Sequence, residues 1–303
     1  MKNLRVVFLH SIVPYNTSYY YFKALKSLNV ELIDVPFDPH KPQPDKPLPE
    51  GDLLLLIDCG LPVCFPSLKK YNCPKGFVSI DSCHKLEIHR DYCDENEFDY
   101  IWVAQKHIAE GLGPRASWLP LAADEEEHVF RPELAKGEGF WECCLKKSHY
   151  DIGMCGAPYK HRRQFEKLFR KNGLSTNFYF RKKFRKSATR EIGRCTIGFN
   201  VGAGFTGEKG KDINMRVFET MANGQAMLLT NTYENVGYED LFLENRHYVT
   251  YKTEDEAVEK ARYFANNPLE AARIAREGQR HILANHTYLH RCKEILSVLE
   301  RSE

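Results

Sequence analysis

Two doubly wound α/β domains in tandem, followed by a helical carboxyl-terminal tail, are the architecture this sequence predicts, and three observations carry it. Short, β-rich apolar runs alternate with helical segments from end to end, which is the pattern of parallel sheets. At 303 residues the chain is long enough for two domains of roughly 130 to 150 residues, each able to bury its own core. Between residues 124 and 148 the composition turns charged and irregular, with Pro132, Gly137 and Gly139. The expected division is therefore a first domain over 1–123, a linker over 124–148, a second domain over 149–285 and a last helix over 286–303.

In the first half, strands are expected at 5–9, 30–35, 53–57, 77–80, 101–103 and 117–119, with helices such as 19–28 and 106–111 between them. The proline-dense stretch 36–49 reads as a surface excursion. In the second half the expected order is strand 152–154, helix 161–171, strand 176–180, helix 184–193 and strand 196–200, with another strand at 247–250. From 254 onward the pattern is helical, with breaks at Asn267-Pro268 and Asn285-His286-Thr287.

The densest chemistry lies in 196–229. The strand Thr196-Ile197-Gly198-Phe199-Asn200 runs into a loop carrying Gly202, Gly204, Gly207 and Gly210, and the helix that follows is capped by Asp212 or Asn214. Val217, Phe218, Met221 and Ala222 give that helix one apolar face, and Gly224 ends it. Strand, glycine loop and helix amino terminus together suit a phosphate, because free N–H groups and the positive end of the helix dipole converge there. Arg216 in the first turn can pair bidentately with a phosphate, and Glu219 one turn on can accept from a ribose diol. An ordinary αβ unit with Arg216 and Glu219 on a solvated face would show the same spacing. Gly202 to Gly207 also matches G-x-G-x-x-G, so an NAD-dependent oxidoreductase is an alternative. Against it, residues 208–211 separate the last glycine from the helix, and Thr230 and Asn231 stand where an acidic residue is expected.

Open α/β sheets bind ligands at the carboxyl ends of their strands. In the first half His10, Asp58, Asp81 and His84 fall just past strand ends, and Asp81 with His84 joins a carboxylate to an imidazole. Structural caps in loops would use the same residue types.

Formal net charge is +2, so no global polyanion-binding signature exists, but basic residues crowd between Lys146 and Arg194. That stretch suits a diphosphate or a polyanionic acceptor such as DNA; solvated helix faces would look alike. Ten cysteines without a C-x-x-C pair argue against a zinc or disulfide framework and for reduced thiols in the cytoplasm. No apolar run approaches the roughly 20 residues of a membrane span, and the amino terminus is too short and β-like for a secretion signal.

The run from Asp212 to Gly224, Leu228-Leu229-Thr230 and the late Asn285-His286-Thr287-Tyr288-Leu289-His290-Arg291 resemble the carboxyl-terminal domain of the group-1 glycosyltransferases typified by the spore maturation protein CgeB. The segment from Gly153 to Tyr159 with His161-Arg162-Arg163 is similar to that domain's opening, and Ile80 to His84, Phe98 to Lys106 and Trp118 to Asp124 extend the resemblance over nearly the whole chain. It implies a GT-B fold: two Rossmann-like domains facing across a cleft, with the last helix crossing back onto the first. It implies a metal-independent transfer of a hexose from a UDP- or GDP-sugar to a hydroxyl of a glycan, protein or nucleic acid, with no cofactor.

Carried over by residue, Glu219 would hold the donor ribose and Arg216 the diphosphate. Asn214, Gly156, Arg163, Gly202 and Gly204 would line the donor site. Asp212, one residue off the position where related transferases carry a further glutamate, would approach the sugar. Asp81 and His84 would deprotonate or position the acceptor, and His10 and Asp58 would lie on its side. A non-catalytic nucleotide-sugar-binding module is the remaining alternative.

Overall fold

The structure is a computed structural model and describes residues 4–12, 16–41, 47–58, 66–130, 150–180, 186–202 and 211–300. The chain divides into two compact units, Met1–Leu121 with Tyr288–Glu303, and Ala122–Thr287.

Among the described residues the first unit holds a sheet of six parallel strands. These are β1 (Leu4–Ser11), β2 (Val30–Phe37), β3 (Leu53–Ile57), β4 (Lys75–Ser79), β5 (Tyr100–Val103) and β6 (Ala116–Trp118), in the order β2-β1-β3-β4-β5-β6. The unbroken run of β3 is buried along its whole length, as an inner strand covered on both faces requires. Val7, Leu9, Leu54, Leu56, Phe77 and Phe98 form the centre of its core. Helix α1 (Ser18–Lys26) follows β1, and α2 (Ser82–Glu95), which the sequence reading did not single out, follows β4. A 3-10 helix, Lys106–Leu112, takes the place of the helix expected there.

Among the described residues the second unit holds five parallel strands, β7 (Tyr150–Cys155), β8 (Thr176–Tyr179), β9 (Cys195–Asn200), β10 (Met227–Asn231) and β11 (Val249–Tyr251), in the order β11-β10-β9-β7-β8. Helices α3 (Lys160–Lys171), α4 (Lys186–Ile192), α5 (Met215–Asn223) and α6 (Tyr238–Leu241) connect them, and α7 (Glu254–Asn266) and α8 (Pro268–Asn285) follow. Phe165 and Phe169 of α3 pack on Phe199 at the sheet centre, with ring centroids 4.9 and 5.0 Å apart. Both expected breaks in the tail are present, because Pro268 starts α8 and the chain leaves helical geometry at His286. The strand expected at 247–250 is displaced to Val249–Tyr251, since His247 is held in a turn by the Leu243 N–H donating to its Nδ1.

The last helix, α9 (Tyr288–Glu300), belongs to the first unit. Tyr288 stacks on Tyr20 and meets Tyr21 edge-on, at 5.0 and 5.1 Å between centroids. Buried Arg291 donates from Nε to Pro120 O (2.6 Å) and from Nη2 to Leu121 O (3.2 Å), tying the helix to the end of the first unit's chain. No helix among the described residues is long and apolar enough to cross a membrane.

Much of the 124–148 segment, 131–148, lies outside the described residues. Residues 124–130 fold onto the second unit: the Thr189 hydroxyl donates to Glu127 O (2.7 Å) and the Phe130 N–H to Asn223 O (3.3 Å).

Helix α5 ends where Gly224 takes a left-handed φ of 73°. Gln279 of α8 lies directly over that glycine and donates to Ala222 O and Asn223 O (2.9 and 3.2 Å), satisfying carbonyls the helix leaves open. A Cβ at 224 meets both penalties, the left-handed backbone and the displaced amide. Gly224→Ala is expected to destabilise the protein by about 1–2 kcal/mol from the backbone alone; a denaturant midpoint unchanged from wild type would contradict this.

Candidate functional site

Strand order reverses in the second sheet between β7 and β9, since the chain runs from β7 outward to β8 and then returns to build β9, β10 and β11 on the other side. A reversal leaves a crevice at the carboxyl ends of the two strands, because the connections that follow them depart in opposite directions. Three sequence features arrive at this point. Gly156 follows β7, Gly202 follows β9, and α5 begins shortly after β9.

Asn214 is the cap of α5, its Oδ1 accepting from the Arg216 N–H at 3.1 Å, which resolves the choice between Asp212 and Asn214. From the first turn Arg216 reaches across the crevice. Its Nε donates to Cys155 O at the end of β7 (2.7 Å) and its Nη1 to Asn200 Oδ1 at the end of β9 (3.3 Å). Arg162, in the first turn of α3, arrives from the other side and donates from Nη1 to Ala157 O at 3.1 Å. Both guanidinium groups crowd above Gly156: a Cβ there would meet Arg216 Nη2 at 2.7 Å and Arg162 Nη1 at 2.8 Å. A glycine leaves the space in which the two charges converge.

Arg162 is 8% exposed, its Nε is buried without a hydrogen-bond partner, and its guanidinium lies 4.7 Å from the Tyr159 ring centre. Burial, and next the charge of Arg216, push it down to about 9, so it keeps its charge at neutral pH. The same burial and the two arginines hold His161 below the usual imidazole range. Among the described residues neither arginine forms a salt bridge with a carboxylate. Among the described residues the two like charges are held by neutral acceptors, and paired guanidinium forks have the geometry to match phosphate oxygens.

Glu219 sits one turn beyond Arg216 on α5, its side chain 30% exposed. Facing it is His128, 2% exposed, with Nε2 at 3.4 Å from Glu219 Oε1. His128, Cys155, Thr189, Arg216 and Glu219 line one small pocket. His128 escaped sequence reasoning because it stands in the charged 124–148 stretch, where composition indicates a linker. A roomier pocket of about 250 Å³ opens at the ends of β10 and β11, but Lys252 and Glu254 both line it and no charge of one sign converges there.

The other residues singled out in the sequence fall as follows. Arg163 points outward and lies 5.8 Å from the Phe180 ring centre; its neighbour Arg162 is the one that reaches Gly156. Gly202 donates its N–H to Asn231 Oδ1 (2.8 Å), and Asp212 is half-buried before the cap of α5. Gly204 lies outside the described residues.

In the first unit the order reverses between β1 and β3, and His10 and Asp58 stand at those strand ends. His10 engages Asp34 Oδ1 through Nε2 (2.8 Å). Asp58 is fully buried and accepts from the Ile80 and Asp81 N–H groups (3.2 and 3.0 Å), so its carboxylate supports the turn after β4. Asp81, half-buried, precedes α2. The backbone of His84 lies in the first turn of α2, and its side chain is outside the described residues. No three His, Cys, Asp or Glu side chains gather as a metal site would need among the described residues.

A sequence profile of the glycosyl transferase-like family matches residues 144–297, which takes in both arginines, Glu219 and the whole second sheet. The chain belongs to the glycosyl transferase-like family. Among curated proteins no sequence matches it. Solved structures do. HepE of Anabaena in complex with UDP and glucose superposes with a TM-score of 0.63 at 10% identity, covering 99% of this chain and 100% of that one. Sucrose-phosphate synthase of Thermosynechococcus elongatus gives 0.63 at 8% identity, with 99% of each chain covered. A glycosyltransferase of Rickettsia africae gives 0.63 at 9% identity over 99% of each. These likenesses are of fold: two parallel-sheet α/β domains matching GT-B glycosyltransferase structures. The family match spans the Gly202–Gly210 loop, and nothing favours the oxidoreductase alternative for it.

Proposed function

We propose that this member of the glycosyl transferase-like family transfers a hexose from UDP-sugar to an acceptor hydroxyl, and that the crevice between β7 and β9 holds the donor. The observation that carries the reading is the convergence of Arg162 and Arg216 above Gly156, with the positive end of α5 beside them. UDP is chosen over GDP because HepE was solved with UDP and with UDP-glucose. Within the family, the CgeB-like group remains our placement.

In this reading the bond between the sugar's anomeric carbon and the β-phosphate oxygen breaks as the acceptor oxygen bonds to that carbon. Negative charge then accumulates on the departing diphosphate, where two preorganised guanidinium groups and a helix dipole stabilise it without a metal. Glu219 accepts from the ribose hydroxyls, and Asn214 keeps the first turn of α5 in place. Asp81, with His84 beside it in sequence, takes the acceptor proton or orients the hydroxyl. His10 and Asp58 support that side through the contacts already described. The free thiols of Cys73, Cys93, Cys195 and Cys292 suit the cytoplasm.

The acceptor class rests on α3, where Lys160, Arg163, Lys167 and Lys171 repeat every three or four residues and are all exposed. Such a stripe suits a polyanion, modified DNA or an anionic glycan. Parts of the basic 146–194 stretch, 146–149 and 181–185, lie outside the described residues. Duplex DNA is expected to bind with an affinity that falls steeply with salt; no binding at low salt would remove DNA from this reading.

Titration calorimetry with UDP tests the donor site directly. Arg216→Ala and Glu219→Ala are each expected to weaken UDP binding by about tenfold or more, since each removes a charged hydrogen-bonding partner. Asp81→Asn is expected to lower kcat and leave UDP affinity alone. Wild-type UDP affinity in both donor-site variants would sink the assignment.

Arg162 has a test of its own. Its guanidinium keeps its charge at neutral pH and lies above Gly156, so Arg162→Ala is expected to weaken UDP binding by about tenfold or more. Unchanged UDP affinity in that variant would show that Arg162 does not meet the donor.

A further inference from the structure

From the geometry around Glu219 we infer that His128 is a positioning residue for the nucleoside end of the donor, holding the Glu219 carboxylate so that it reads the ribose diol; this rests on the donor site proposed above. The ring's hydrogen bonds decide which nitrogen carries the proton. His128 Nδ1 accepts from the Asp124 N–H at 2.9 Å, so in the neutral ring the hydrogen is on Nε2. That nitrogen faces Glu219 Oε1 at 3.4 Å. The imidazole thus offers one neutral donor to the carboxylate.

The mounting is rigid. Asp124 Oδ1 accepts from the Glu126 and Glu127 N–H groups (3.0 and 2.8 Å), which closes the turn carrying His128. The turn is pinned to α4 by the Thr189 hydroxyl on Glu127 O. Asn223 of α5 donates to Thr189 O at 2.8 Å, so turn, α4 and the helix bearing Glu219 form one framework.

A vicinal diol presents two O–H groups at fixed spacing, and a carboxylate accepts both only in one orientation. Glu219 has rotatable bonds enough to leave that orientation, and losing rotamer freedom on binding weakens the complex. A fixed N–H against Oε1 selects the orientation in advance and leaves Oε2, with the second lone pair of Oε1, for the ribose. His128 acts through Glu219 and needs no contact with the nucleotide.

The test is titration of UDP and 2′-deoxy-UDP into wild type, His128→Phe and His128→Gln, with thermal melting to confirm that each folds. His128→Phe fills the space without a donor, and His128→Gln restores an N–H. The wild type is expected to prefer UDP over the deoxy analogue. His128→Phe should lose about tenfold in UDP affinity, the value of a hydrogen bond to a charged group. It should lose much less for 2′-deoxy-UDP, so the preference shrinks, and His128→Gln should recover part of it. In turnover, donor KM should rise with kcat at saturation little changed. A folded His128→Phe protein with the wild-type preference overturns the inference alone. A wild type that binds no UDP overturns the donor site and the inference with it.

Discussion

Two positive charges held over a single glycine are the constraint on which the site depends. Arg216 comes from a helix that follows β9 and Arg162 from one that follows β7, and they meet because strand order reverses between those two strands. Like charges at such range repel by several kcal/mol at the effective dielectric of a partly buried site. Hydrogen bonds from Arg216 to Cys155 O and Asn200 Oδ1, and from Arg162 to Ala157 O, hold the groups in position without neutralising them. Neutral acceptors fix geometry and leave the charge for a ligand.

The same constraint explains the local sequence. The first turn of α5 must present an arginine at its second residue, so the cap has to come from a short polar side chain, and Asn214 supplies it. The helix must also not slide along its axis, or Arg216 and Glu219 would both leave the crevice. Gly224 and Gln279 fix its far end, while Val217, Phe218 and Met221 fix its buried face. The position of Arg216 and the packing at the other end of α5 are thereby coupled through one nine-residue helix.

Much of this was legible in the sequence, for physical reasons that can be named. Parallel strands covered on both faces must be continuous apolar runs, so Leu53–Ile57 and Met227–Asn231 stand out, and proline or asparagine marks the breaks between the last three helices. Arg216 and Glu219 were readable because cap, spacing and apolar face fix the phase of α5. Arg162 against Arg163 was not: both stand in a basic run, and which one turns inward depends on the phase of α3, set by burial of Phe165 and Phe169. Asp58 reads as an exposed acid at a strand end until the turn after β4 is seen to place two N–H groups on it.

The instructive case is residues 124–130. Asp124, Glu125, Glu126 and Glu127 make the composition of a solvated linker, yet Asp124, Glu127 and His128 are buried. Composition reports how many charges a segment carries and is blind to whether they are directed at its own backbone. Here Asp124 accepts two N–H groups of its own turn and donates its own N–H to His128. A turn that satisfies itself in this way needs little from solvent, so it can be set down as a preformed piece against α4 and α5. It brings to Glu219 an imidazole whose proton is already directed, something a flexible linker could not hold in place.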